Sequence, residues 1–253
     1  MPLVRPPAWK GDPIPDGTAA VMAATVPDVR RLCRRMGVAP DGGAPLYTGR
    51  FFRGPRSWAL AGPFIGAPHA AMLVETLAHW GIRRILFFGW CGALVPSFAP
   101  GDAVLPDAGL SDEGTSRHYG VGAGLPSKPS EDLQSALVRA AAGAGLTCRR
   151  GPVCSTDAIF RETPGRLEEY RRRGAVAVDM ELSAVLAAAG ALSLEAGALL
   201  LVSDNVSGNR WQPGFATERF RSARMRACDA LADLCESRWI PTSEKRPRPS
   251  GGG

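Results

Sequence analysis

Val176-Ala177-Val178-Asp179-Met180-Glu181-Leu182-Ser183-Ala184-Val185-Leu186-Ala187-Ala188-Ala189 carries the clearest architectural signal in the chain. A short apolar run passes directly into two acids flanking a methionine, and an alanine-rich segment of good helix propensity follows. The pattern predicts a buried strand turning at once into a helix. Asp179 then lies at the strand's carboxyl end and Glu181 in the helix's first turn. In α/β sheets that edge is where ligands bind. Acids in a first helical turn also complement the helix dipole with no ligand present, and spacing alone leaves both readings open.

Outward from this stretch, strands and helices alternate. Strands are expected at 18–24, 47–52, 57–61, 84–89, 101–106, 148–153 and 196–202. The run Arg84-Ile85-Leu86-Phe87-Phe88-Gly89 has the continuous apolar character of a central strand. Helices are expected at 27–36, where Pro27 suits a first turn, and at 69–80, 131–142, 164–173 and 216–237. The alternation predicts an α/β fold: a single domain with a mixed, largely parallel central sheet flanked by helices on both faces. The expected boundaries are an irregular lead at 1–17, one domain at 18–238 and a disordered Pro-, Arg- and Gly-rich tail at 239–253.

With 253 residues, 45% of them hydrophobic and 21% charged, the chain can bury the core of one large soluble domain. No apolar run approaches a membrane span, and the first residues lack the apolar core of a signal peptide, so a cytoplasmic protein without a membrane partner is expected. The net charge of +6 comes from short, separate arginine clusters without aromatic interleaving. It reads as solvated surface rather than a nucleic-acid site. Six cysteines without metal-ligand spacing are expected to be free thiols, and no metal site is expected.

Three predicted strands end in unusual chemistry: Gly89-Trp90-Cys91-Gly92, Asp179-Met180-Glu181 and Ser203-Asp204-Asn205. If the strands are parallel, these ends share one edge of the sheet and form a site. Val178-Asp179-Met180-Glu181 resembles the ribose-binding signature of the nucleoside phosphorylase and nucleosidase superfamily, of the purine nucleoside and uridine phosphorylase type. The resemblance extends in order along residues 18–237. It includes the glycine-rich stretch 89–94, Pro100-Gly101-Asp102-Ala103-Val104, Asp112 to Tyr119, Ser155 to Phe160, Ser203-Asp204 and Arg219.

This resemblance implies cleavage of a nucleoside's C1′–N bond. Glu181 would accept hydrogen bonds from the ribose hydroxyls and favour oxocarbenium character, with Met180 packed on the sugar. Ile159, Phe160 and Asp179 are expected at the base. Asp204 would protonate a purine at N7, assisted by Arg219, which requires burial to keep its carboxyl neutral near pH 7. A helix N-cap remains the other reading of Asp204. Trp90, Cys91 and Gly92 would surround the attacking phosphate or water. Cys91 has no paired base, so it is not expected to be a nucleophile. His118 is a candidate for a substrate or subunit contact. His69 stands where a small residue is usual and carries no transferable role.

The chain departs from the pattern at phosphate. Where the family has a Gly-Asp-Pro loop, an arginine before the glycine turn and a hydroxyl within it, this sequence has Ala24-Thr25-Val26-Pro27-Asp28, Phe87 and Trp90. Two aromatics thus stand in an anion site that has lost its cation, and Arg30, Arg53 or a neighbouring subunit would have to replace the charge. The expected function is phosphorolysis of a nucleoside, of purine type, to free base and ribose-1-phosphate. The alternatives are hydrolysis by water and nucleoside binding with little turnover. No cofactor is expected beyond inorganic phosphate as co-substrate. The expected partners are the nucleoside and further copies of the chain, as a dimer or a hexamer built as a trimer of dimers.

Overall fold

The computed structural model describes residues 3–54, 58–122, 125–208 and 210–237. The expected tail at 239–253 lies outside them. Along the described chain run β1 (Ala19–Ala23), α1 (Val26–Met36), β2 (Ala44–Leu46), β3 (Gly49–Arg53), β4 (Trp58–Gly62), α2 (Ala67–His79), β5 (Arg84–Ala93) and β6 (Ala103–Ser111). Then follow α3 (Glu131–Gly143), β7 (Cys148–Ser155), α4 (Pro164–Arg172), β8 (Ala177–Asp179), α5 (Leu182–Ala191), β9 (Glu195–Asn205), β10 (Gln212–Pro213) and α6 (Glu218–Glu236). The predicted α/β alternation is present. The short edge strands β2 and β10 and the full lengths of β5, β6 and β9 are additions to it.

The strands form one mixed sheet in the order β10-β9-β6-β7-β8-β5-β1-β4-β3-β2, with β9 also pairing to β5. The pairings among β5, β9, β6, β7 and β8 therefore close into a ring at one end of the sheet. Side chains alternate across the sheet with the period of two that a pleated strand imposes. On β5, Ile85 and Phe87 face the layer made with α2 and α5, while Leu86 and Phe88 face the layer made with α1, α3 and α6. Both faces are thus covered by helices.

Strands β1, β4, β5 and β9 are parallel neighbours, so their carboxyl ends lie on one edge. Strand β8 does not follow the expectation of a parallel array. It runs antiparallel to β5, with Val178 opposite Gly92 and Ala177 opposite Ala93. The acids still converge on the edge, because β8 enters beside the last residues of β5 and delivers Asp179 next to Cys91.

Phe87 corrects a second expectation. Its side chain is fully buried, its ring centroid lies 6.0 Å from that of Phe64, and it belongs to the core rather than to an anion site. An arginine there would be a cation buried without a partner. Phe87→Arg is expected to cost several kcal/mol, against about 1 kcal/mol for the more nearly volume-conserving Phe87→Leu. Urea denaturation of the two variants measures the difference.

Candidate active site

A cavity of about 680 Å³ opens at this edge. It is lined from the turn after β1, the β2–β3 turn, the segment after β4, the end of β5, the β8–α5 junction, the end of β9 and two further loops. A smaller groove of about 490 Å³ between α3 and α6 contains none of the motif residues.

The β8–α5 junction is built by Asp179. One oxygen of its carboxylate accepts from Ser155 Oγ at 2.5 Å, and the other from the backbone N–H groups of Leu182 at 2.8 Å and Glu181 at 3.2 Å. The side chain ties β7 to β8 and satisfies N–H groups that a helix start leaves open. Both readings of this acid thus have a counterpart: its oxygens serve the helix, while the residue also lines the cavity. Burial raises its pKa to about 6 against the opposing hydrogen bond from Ser155. Glu181 is the N-cap residue of α5 rather than part of its first turn. Its carboxylate accepts from Gly66 N at 2.7 Å. Burial and then the neighbouring Asp179 charge push its pKa up to about 8. Met180 lies beside it in the cavity wall.

Asp204 is aimed by an irregularity in the β5–β9 pairing. Cys91 pairs with Val202 and Gly92 with Asp204, leaving Ser203 as the extra residue of a bulge, a device that redirects side chains. Gly92 permits the approach, because a Cβ there would lie 3.2 Å from Asp204 Oδ2. Ser203 Oγ donates to one Asp204 oxygen at 2.6 Å and Trp211 Nε1 to the other at 2.8 Å. Strand β10 folds back on β9, with Pro213 opposite Asp204, and so carries Trp211 over the carboxylate. Asp204 is a strand residue, not a helix cap.

Glu162, which the motifs did not single out, also lines the cavity. Its pKa rises to about 7, through burial first and then the charge of Asp204. Ile159 and Phe160, on the short 3-10 turn before it, are 49% and 97% exposed, so in the free protein they face solvent at the cavity mouth.

Arg219 does not contact Asp204. Its guanidinium pairs with Asp102, a fully buried carboxylate that also accepts from Arg149 Nε at 3.1 Å. The expected assistance to Asp204 is therefore replaced by an ion pair joining α6 to the start of β6. At the other end of the cavity, Trp90 Nε1 donates to Asp28 Oδ2 at 2.8 Å, and its ring packs edge-on against Phe220 with centroids 5.1 Å apart. Neither Arg30 nor Arg53 lines the cavity; Arg53 donates to the Asp12 carbonyl. Cys91 is buried, and burial raises its thiol pKa well above the usual range. His118 is exposed on a 3-10 turn and does not line the cavity. The loop before it is held to α5 by Glu113, which accepts from Ser183 Oγ at 2.9 Å. His69 sits on α2 between Tyr47 and Phe64, outside the lining, with its pKa lowered by burial.

The described lining thus holds four acids, Glu162, Asp179, Glu181 and Asp204, and no lysine or arginine. Fold and site together define an α/β protein with a carboxylate-rich cavity at the carboxyl edge of its parallel strands. Residues 18–237 match the model of the phosphorylase superfamily, and the chain belongs to that family. It is 35% identical over 147 residues to guanosine phosphorylase of Halorubrum lacusprofundi, covering 58% of this chain and 61% of that one. It is 29% identical over 147 residues to uridine phosphorylase of Escherichia coli, covering 53% and 58%. These alignments span about three fifths of the relatives' lengths. Among solved structures, AMP nucleosidase from Bacteroides thetaiotaomicron superposes with a TM-score of 0.68 at 25% identity, over 87% of this chain and 89% of that one. Purine nucleoside phosphorylase from Toxoplasma gondii, in complex with immucillin-H, gives 0.72 at 17% identity over 88% and 92%, a likeness of fold. No described helix is long and apolar enough to cross a membrane.

The raised pKa of Glu181 has a direct consequence for stability. Protonated Glu181 stabilises the fold fully below about 4.5, and that contribution is lost as pH rises through about 8. Glu181→Gln should therefore gain stability relative to the parent as pH rises from about 5 to 8, by about 2–4 kcal/mol. Thermal denaturation across that range measures it; parallel curves would contradict the burial of a carboxyl without a cationic partner.

Proposed function

We propose that this protein cleaves the N-glycosidic bond of a nucleoside, of purine type, and that water takes the place of phosphate as nucleophile. The observation that supports water is the described cavity lining, with four acids and no basic side chain. A phosphate dianion brought into such a cavity loses hydration and finds no counterion, a penalty of several kcal/mol or more. Water meets no such penalty. The developing oxocarbenium ion, being cationic, is favoured by the same carboxylates.

In this reading Glu181, with Met180 beside it, receives the ribose. Phe160, Ile159 and Trp211 close on the base. The departing base needs a proton, and Glu162 is suited to give it, because burial and Asp204 hold its pKa near 7. Asp204 contributes the charge that keeps Glu162 protonated and an acceptor for the base. Water adds to C1′, its proton passes to a carboxylate, and free base and ribose leave. A 5′-phosphate on the substrate would meet the same lack of cations, so nucleosides are expected over nucleotides.

Phosphorolysis is the second reading, favoured by the named activities of the guanosine and uridine phosphorylases to which the chain is similar. Initial rates against phosphate concentration, with ribose and ribose-1-phosphate assayed separately, decide between them. Hydrolysis predicts ribose as product and a rate indifferent to phosphate. Saturation by phosphate with ribose-1-phosphate as product would overturn it.

The acid assignment is checked by Glu162→Gln. Its kcat should fall by roughly 10²–10⁴-fold on purine nucleosides, and much less on a substrate with a good leaving group. The alkaline limb of the rate profile near pH 7 should disappear with it. Equal losses on both substrates would assign Glu162 a structural role.

A further inference from the structure

The wall beside Trp90 hides a carboxylate that the reaction as described does not use. Asp28, in the first turn of α1, is fully buried. Oδ2 accepts from Thr25 Oγ1 at 2.6 Å and from Trp90 Nε1 at 2.8 Å. Oδ1 lies 3.2 Å from Arg224 Nε on α6 and 3.8 Å from Cys228 Sγ. Thr25 and Trp90 both line the cavity, yet each spends its hydrogen on Asp28 behind the wall. The guanidinium of Arg224, on α6 behind the wall, is paired with the same carboxylate.

We propose that Asp28 is the residue that selects the nucleophile. Its carboxylate takes the hydroxyl, the indole N–H and the guanidinium with which this end of the cavity could hold an anion, and so reserves it for water. This rests on the hydrolytic reading above. A carboxylate in this position presents a phosphate dianion with repulsion and removes its donors, while a neutral water is unaffected. Arg224 and Asp28 form an ion pair whose carboxylate is fully buried, so an external anion cannot displace Asp28 from Arg224 without leaving a buried charge unpaired. If Asp28 served only to fasten α1 to α6, its removal would loosen the fold and create no anion site.

The test is phosphate binding, read without substrate. Asp28→Ala leaves Thr25, Trp90 and Arg224 with free donors around a small vacancy. Inorganic phosphate titrated through the millimolar range should raise its melting temperature, by about 3–6 °C at roughly ten times the dissociation constant. The parent protein should show no such rise. Arg224→Met added to Asp28→Ala should abolish the gain. Asp28→Asn, nearly isosteric, should show the same direction if the alanine variant does not fold. A folded Asp28 variant with no phosphate-dependent rise would overturn the proposal. So would a parent protein that phosphate stabilises equally well. Product assays on the parent stand apart from this: ribose without phosphate dependence upholds hydrolysis even if the Asp28 variants gain nothing. Where the variants do gain binding, ribose-1-phosphate should appear among their products.

Discussion

One buried carboxylate holds the site together. Asp179 receives the Ser155 hydroxyl from β7 with one oxygen and two N–H groups at the start of α5 with the other. Three elements meet on that side chain, and Met180 and Glu181 go where it sends them. β8 has only three residues, and its pairings with β5 and β7 and the bond from Gly66 N to Glu181 fix the junction together with Asp179. Its position beside the last residues of β5 lets an antiparallel strand contribute to an edge that β1, β4, β5 and β9 reach in parallel. The bulge at Ser203 does the corresponding service on β9, turning Asp204 towards the same space.

The electrostatic character of the cavity follows from these placements. Glu181, Glu162 and Asp179 all have raised pKa values, each with burial as the leading cause, and no described lysine or arginine offsets them in the lining. Such a cavity stores a stability cost that grows with pH. In return it offers carboxyl groups able to carry protons near neutrality and to favour a cationic sugar, which is what glycosidic cleavage requires. The arginines of the neighbourhood are committed elsewhere: Arg219 and Arg149 to Asp102, Arg224 to Asp28. Positive net charge in the chain therefore says little about the sign of the field at the site.

Much of this was legible in the sequence. The apolar run at 84–88, the strand-to-helix passage at 176–189 and the alternation of elements carried the fold, because burial on both faces and helix propensity are local properties. Glu181 and Asp204 stand out in the sequence for the same reason, at the ends of apolar runs, and both line the cavity. What stayed hidden depends on distant pairing. The glycine-rich stretch at 89–92 reads as a turn, yet it continues β5, because β9 and β8 supply partners on either side. Nothing local tells that Phe87 points into the core rather than the cavity; that follows from the phase of the pleat. Arg219 reads as a partner of Asp204 until the packing of α6 against the start of β6 sets it on Asp102. Glu162 and Asp28 are single acids in polar or helical contexts, and only the tertiary fold shows what surrounds them. An acid closely following the exposed Ile159-Phe160 pair was the one available signal for Glu162.

The proposed chemistry needs no anion in the cavity. The direct measurement is turnover in solution stripped of phosphate and other oxyanions, counting moles of base released per mole of protein. Continued release over many equivalents, with ribose accumulating in step, is the predicted result. Release that stays negligible until phosphate is restored would contradict it.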